Sequence, residues 1–174
     1  MSRPARIPAT VAPLATKTVE TPVGRLRLIA SERGLAAVLW ENDPPGRVKF
    51  AALEEQSENA VLCEAERQLQ EYFAGTRRSF DLPLHFSGTE FQQRVWNALL
   101  TIPFGETRSY GDIAVQLGNP RAVRAVGAAN GKNPLSIVAP CHRVIGSNGQ
   151  LVGFAGGVET KRYLLGHEKM APAS

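Results

Sequence analysis

Between residues 89 and 134 the chain is punctuated so closely that few folds can accommodate it. Thr89, with Gln92 three positions on, has the form of a capping box, and Phe91, Val95, Ala98 and Leu99 follow at helical spacing. TEFQQRVWNALL is therefore expected to start and run as a helix. It ends at Ile102-Pro103, because proline disfavours helical geometry in the residue before it. Ser109 then stands three residues before Asp112, Gly118 can close the short helix that they open, and Asn119-Pro120 reads as the cap and first residue of another. Helix, tight glycine turn, helix is the grammar of a helix-turn-helix, and equally of an ordinary helical hairpin. RAVRAVGAANG tips the reading: Arg121 and Arg124 lie among Ala122, Ala125, Gly127, Ala128 and Ala129, giving two cations and little side-chain bulk. Such a face lets backbone approach a polyanion, and a helix N-terminus favours phosphate. Taken alone, Arg124 has a bland alternative as a solvated helix charge.

Charge supports the same half of the chain. Residues 1–85 hold 11 Lys and Arg against 11 Asp and Glu, whereas residues 86–174 hold 9 against 5, so the whole net charge of +4 lies in the second half. That distribution suits an anionic polymer. No apolar tract approaches the length of a membrane span. The first 16 residues carry two arginines and three prolines without a continuous apolar core, which predicts a flexible tail rather than a signal peptide. Two cysteines, Cys63 and Cys141, are too few for a disulfide-stapled secreted scaffold, and a cytoplasmic location follows. His85, His142 and His167 are scattered, with no paired-ligand spacing, so no metal and no cofactor are expected.

The first half reads as α/β. Leu26, Leu28 and Ala30 alternate with polar neighbours, Ser31 to Gly34 supply a turn, and Leu35 to Trp40 form a second apolar run, predicting a hairpin. After a charged, proline-bearing link over 42–56, Leu62, Ala65, Leu69, Tyr72 and Phe73 recur at helical spacing, with Gly75 as the C-terminal cap. Cys63 on that helix reads as a small, half-buried hydrophobe. DLPLHF reads as a last strand or linker, with His85 structural and without polar company. Beyond Cys141, Val144-Ile145, a Gly-Ser-Asn-Gly turn and Leu151-Val152 suggest a hairpin lying as a wing. VGFAGG reads as a loop, and residues 158–168 as a final helix burying Tyr163, Leu164 and Leu165, with His167 exposed.

The chemistry centres on IVAPCHRVIG, where the thiol of Cys141 could be packing, a metal ligand or a nucleophile. A thiol attacks as thiolate, and a free pKa of about 8.5 leaves little of that form at neutral pH. His142 is adjacent, but neighbours on a regular element point apart, so a turn or a bridging water has to connect them. Glu168 is a candidate to orient the imidazole.

GETRSYGDIAVQLGNPRAVRAVGAANGKNP, PCHRVIGSNG, GFAGG and LLGHE, in this order and at these distances, resemble the O6-alkylguanine-DNA alkyltransferases, the methylated-DNA-protein-cysteine methyltransferases. The likeness is densest from Thr89 to Glu168 and looser before it. It implies an α+β chain: a tail (1–16), a small N-terminal α/β domain of ribonuclease H-like form (17–86), a mostly helical C-terminal domain with a winged helix-turn-helix (87–169), and a short tail (170–174). It implies direct-reversal DNA repair, in which Cys141 irreversibly accepts an alkyl group from O6 of guanine, or O4 of thymine, in double-stranded DNA. His142 and Glu168 match a water-linked relay to that thiol. Tyr110 matches the residue that donates to guanine N3, whereas on spacing alone it could be a packed capping aromatic. Asn133 matches a brace for the turn before the cysteine, where spacing alone offers a simple turn residue. Arg124 matches the arginine entering from the minor groove as the damaged nucleotide flips out. Val144, by its carbonyl, and Ala155, by its amide, match readers of the guanine edge. Asn119 and Ser147 match contacts to the DNA backbone.

The family resemblance further implies a monomer in solution, able to assemble cooperatively on DNA. Departures are instructive: the first half lacks the zinc-binding set of some relatives, and Ala155 and Asn130 suggest a roomier pocket for longer alkyl groups. A non-catalytic alkylation-damage binding protein is the alternative, but such relatives replace the cysteine, which is retained here. A Cys-His hydrolase ranks last, since no substrate groove is legible.

Overall fold

The structure is a computed structural model that describes residues 13–151 and 154–170. Strands β1 (Leu14–Thr21), β2 (Gly24–Ser31) and β3 (Gly34–Trp40) form an antiparallel meander, and the short β4 (Leu53–Glu55) pairs in parallel with β1. The sheet order is β3-β2-β1-β4. The predicted hairpin is β2–β3, but the predicted N-terminal tail is corrected: Leu14, Ala15 and Thr16 belong to a strand paired on both sides. The charged link likewise contains β4.

Helix α1 (Ala60–Phe73) covers one face of this sheet. Asn59 caps it by accepting from the Leu62 amide at 3.0 Å, and Gly75 follows at φ +84° as predicted. Leu62, Ala65, Leu69 and Tyr72 meet Ala15, Val19, Leu26 and Leu28 in the core. Each fully buried leucine there contributes roughly 1.5–3 kcal/mol relative to exposure.

The free edge of β3 is where the two halves join. Leu35 donates to Pro83 O at 2.8 Å and accepts from the His85 amide at 2.8 Å, so the DLPLHF segment runs beside β3. Further along, the Val38 amide donates to Pro134 O at 2.8 Å. The N-terminal sheet thus holds by backbone the segment leading to Cys141. Gly34 permits this approach: at φ +145° with Pro83 O 2.6 Å from where a Cβ would sit, no side chain fits. His85 is not without polar company, since its Nδ1 lies 2.7 Å from Ser31 Oγ.

In the second half, α2 (Glu90–Leu99), α3 (Tyr110–Gln116), α4 (Val123–Gly131) and α5 (Val158–Met170) surround a core of Val95, Trp96, Leu99, Ile113, Val126, Leu135 and Leu164. Both predicted capping boxes, Thr89 with Gln92 and Ser109 with Asp112, are formed, and Gly118 ends α3 at φ +80°. The next helix begins later than expected. Asn119 accepts from the Ala122 amide at 2.9 Å in a turn, and α4 starts at Val123 without a side-chain cap.

Beyond Cys141, β6 (Val144–Ile145) pairs in parallel with β5 (Arg108–Ser109). The Gly-Ser-Asn-Gly turn forms, with the Gly149 amide donating to Gly146 O at 2.8 Å, while the expected return strand at Val152 and the start of the glycine loop lie outside the described residues. On α5, Leu164 is buried and Leu165 half-buried, but Tyr163 is exposed and stacks on His167. His167 is itself half-buried, with Nε2 2.8 Å from Tyr72 O. Met170 closes α5, and residues 171–174 lie outside the described residues.

Candidate active site

Residues 133–141 form a compact turn between α4 and a single 3-10 turn, Cys141–Arg143. Asn133 organises it from inside: fully buried, it donates from Nδ2 to Ala139 O at 2.8 Å and accepts at Oδ1 from the Leu135 amide at 3.0 Å. Within this clamp Ile137 adopts φ +72°, which a β-branched residue rarely does and which costs on the order of 1–3 kcal/mol. From outside, Arg47 donates to Gly131 O at 3.0 Å and Asn133 O at 2.9 Å while Asp43 holds its guanidinium at 2.7 Å and 2.9 Å. The turn that presents Cys141 is therefore fixed by both halves of the chain.

Cys141 is 5% exposed. Burial pushes its thiol up, and the Asn133 amide and the charges of Arg47 and Lys161 only partly oppose this. At neutral pH the group rests as a thiol and needs a base.

His142 follows it, fully buried, with Nε2 2.7 Å from Glu168 Oε2. Burial works against the Glu168 carboxylate, but the hydrogen bonds and charges of His142 and Arg143 outweigh it and hold the carboxyl well below its usual range. An ionised carboxylate only accepts, so Nε2 carries the proton of a neutral imidazole, whose own protonation burial disfavours. The lone pair then sits on Nδ1, which is buried and has no hydrogen-bond partner among the described residues. A buried acceptor left unpartnered, next in sequence to a buried thiol, is chemically able to take up a proton.

Four further residues complete the cluster. Arg143 donates through Nε to Glu168 Oε1 at 2.9 Å, through Nη2 to Oε2 at 3.0 Å, and through Nη1 to Ile102 O. Tyr72 donates to Glu168 Oε2 at 2.7 Å, and the Gly105 amide to Oε1 at 3.1 Å. Lys161, fully buried, donates to Val144 O at 2.7 Å and lies 5.8 Å from the Phe154 ring centre. The sequence reading passed over Tyr72, Arg143, Lys161 and Arg47 as parts of the site. Signals for three existed: Arg143 sits in an apolar run where a charge must be paired, Tyr72 lies on a buried helical stripe where its hydroxyl needs a partner, and Lys161 shares a helical face with Leu164 and Glu168.

Of the other nominated residues, Tyr110 and Val144 are tied to this centre, and the rest are placed by their exposure. Tyr110, at the start of α3, is half-buried, and its ring is 3.9 Å from where a Cβ of Gly127 on α4 would sit. Burial raises the Tyr110 phenol, with proximity to Cys141 adding to it. Arg124, Asn119 and Ser147 are exposed, Val144 is buried, and Ala155 is half-buried. Ala155 follows Phe154, which packs edge-on against Trp40 of the sheet at 5.5 Å. Among the described residues no three His, Cys, Asp or Glu side chains gather to hold a metal ion, and no helix is long and apolar enough to cross a membrane.

Family models match both halves: the 6-O-methylguanine DNA methyltransferase ribonuclease-like domain over residues 14–86, and the DNA-binding domain of the same family over residues 90–170. The chain belongs to the 6-O-methylguanine DNA methyltransferase family. A methylated-DNA--protein-cysteine methyltransferase of Methanosarcina acetivorans is 51% identical over 147 residues, covering 84% of this chain and 92% of that protein. A constitutive protein of the same name from Bacillus subtilis is 49% identical, covering 88% and 94%. Among solved structures, Mycobacterium tuberculosis OGT in complex with DNA superposes with a TM-score of 0.82 at 45% identity, covering 89% of this chain and 93% of that one. The α+β architecture, with its ribonuclease-like and DNA-binding parts, is that of the family.

Proposed function

We propose that this protein reverses DNA alkylation in a single turnover, with Cys141 taking a methyl or other alkyl group from O6 of guanine, and from O4 of thymine, in double-stranded DNA. One observation carries the reading: Glu168 fixes the tautomer of His142 so that a buried, unpartnered Nδ1 stands next in sequence to a buried thiol. A water relays the thiol proton to that nitrogen. The thiolate attacks the alkyl carbon, the new C–S bond forms as the C–O bond breaks, and the electron pair leaves on guanine O6. Tyr110 donates toward N3 as the base becomes anionic, which lowers the barrier by placing a donor where charge develops. The product thioether has no route back to a thiol here, so each molecule repairs one lesion.

A base inside the stack is out of reach of this thiol, and flipping leaves unstacking energy to offset. Arg124 enters from the minor groove into the space the base vacates. Its exposure on α4, among residues with little bulk, supports that role. The carbonyl of Val144, directed by Lys161, and the amide of Ala155 read the guanine edge, and Asn119 and Ser147 meet the DNA backbone. Asn133 braces the turn beneath. The small side chain of Ala155 leaves room for longer alkyl groups. Residues 87–169 carry the chemistry and the DNA contacts, and the first half is the scaffold behind them. Both cysteines are free, which suits the reducing cytoplasm.

The test is intact mass and peptide mapping after incubation with a duplex bearing O6-methylguanine. One methyl group on Cys141, stoichiometric with lesion lost, is expected. Lesion binding without a mass change sinks the reading in favour of a non-catalytic damage-binding protein.

A further inference from the structure

We propose that Tyr72, carried by the N-terminal half, is a positioning residue for alkyl transfer: its hydroxyl donates to the same carboxylate oxygen of Glu168 that holds His142, and so sets how firmly that imidazole binds a proton. The inference rests on the relay proposed above.

Among the described residues, five hydrogen bonds converge on the Glu168 carboxylate. Oε1 takes Arg143 Nε and the Gly105 amide, whereas Oε2 takes Arg143 Nη2 at 3.0 Å, His142 Nε2 at 2.7 Å and Tyr72 Oη at 2.7 Å. Every one comes from the second half of the chain except Tyr72, which arrives from α1 across 96 residues of sequence. Packing explains its ring, which is fully buried edge-on against Phe73 and Phe104 and close to Phe80 and His167. Packing does not explain its hydroxyl. A phenylalanine fills the same space without the cost of drying a polar group, so what the hydroxyl adds is the bond it makes. Burial, reinforced by Glu168, keeps the phenol protonated, and it can act on Oε2 only as a donor.

A donor on Oε2 draws charge from the oxygen that faces the imidazole. With the hydroxyl removed, that oxygen concentrates its charge on His142, and the protonated ring is stabilised. A protonated imidazole cannot accept the thiol proton. The other groups around His142 do not take over: Lys161 from α5 and Arg143 beside it both disfavour a second positive charge, and Cys141 precedes it on the same turn. His167 lies against the Tyr72 ring, with its Nε2 on the Tyr72 carbonyl.

The experiment compares the full-length protein with Tyr72→Phe and with Phe80→Leu, which disturbs the same aromatic cluster but leaves the hydroxyl. Single-turnover transfer from O6-methylguanine duplex is followed against pH, and the His142 ring is titrated by 15N NMR without DNA. In Tyr72→Phe the His142 pKa and the acid limb of the rate profile are expected to rise together by about half to one unit, a loss of about 3- to 10-fold below the limb with little change above it. Phe80→Leu lowers the melting temperature and moves neither. Incorporating 3-fluorotyrosine at position 72, a stronger donor of nearly the same shape, moves both the other way and decides the matter should Tyr72→Phe not fold. An unmoved His142 pKa in a folded variant overturns the proposal even if repair is intact. A wild-type protein that never alkylates Cys141 overturns the functional reading instead, and the NMR titration still decides what Tyr72 does to His142.

Discussion

Two groups of residues with proposed parts in the chemistry of Cys141 are built on opposite principles. In the first, Tyr72, His142, Arg143, Lys161 and Glu168 are all buried, and each engages another member or nearby backbone at hydrogen-bonding distance. By contrast, Arg121, Arg124, Asn119 and Ser147 stand exposed. Proton transfer needs fixed tautomers and a dry, strong field, which a buried hydrogen-bonded network supplies. Recognition of a polyanion needs cations that remain solvated until the partner arrives. The first region should therefore couple activity to stability, and the second should separate them.

The largest expected effect removes what both regions serve. Cys141→Ser abolishes transfer, while affinity for a lesion-bearing duplex stays within about threefold, since a serine lacks the reactivity of a thiolate but fits the same volume. Gel-shift titration beside mass spectrometry checks both halves of that statement.

Glu168→Gln breaks the buried region. Losing the carboxylate frees the His142 tautomer and leaves Arg143 buried without its counter-charge, so transfer falls about 10²- to 10⁴-fold and unfolding free energy falls by about 3–5 kcal/mol. Loss of rate with an unchanged denaturation midpoint would show that the cluster does not act as one structural unit.

The same cluster makes stability pH-dependent in one direction. His142 and Glu168 both have lowered proton affinity in the folded state, so the unfolded chain binds more protons and stability rises with pH. Melting temperature should hold above the ordinary histidine value of 6.5, decline as pH falls below it, and drop further below 4.5 as the unfolded chain protonates a carboxyl that the native state keeps ionised. A midpoint flat from pH 7 to pH 4 contradicts this.

On the exposed side, Arg124→Ala should slow repair about 10- to 100-fold through the lost stabilisation of the flipped state, with stability changed by less than about 0.5 kcal/mol. Stopped-flow fluorescence of a base analogue beside the lesion reports flipping directly. The smallest effect belongs to Arg121→Ala: affinity weakens a fewfold regardless of lesion, and the slope of log affinity against log salt decreases by about one. An Arg121→Ala effect confined to lesion-bearing DNA would erase the distinction between phosphate contact and lesion readout.

Much of the recognition half was legible because its signals are local. Capping boxes at Thr89 and Ser109 and the glycine stop at Gly118 each act within a few residues, and the structure has all three. Most of the differences lie where distant partners decide. The Leu14–Thr16 segment follows three prolines and looked like a tail, yet two neighbouring strands recruit it into the sheet. Asn119-Pro120 had the chemistry of a helix start, but the chain turns once more before α4, so its exposed asparagine sits in a turn. His85 and His167 had no sequence neighbour to bond, and found Ser31 and the Tyr72 carbonyl across the fold.

The sequence by itself determined the helix boundaries carried by caps, the β2–β3 hairpin and the buried stripe of α1, and through PCHRV in its company it pointed to Cys141 as the acceptor proposed above. Those follow from contacts within one or two turns of chain, which amino-acid order encodes directly. Only the tertiary structure decided that Nδ1 of His142 carries the lone pair, that Arg47 and the edge of β3 hold the turn beneath Cys141, and that a hydroxyl from the N-terminal half shares the carboxylate with the imidazole. Each of these depends on groups tens of residues apart meeting in a dry interior. There most donors and acceptors must be matched, and the matching exists only once the chain is folded.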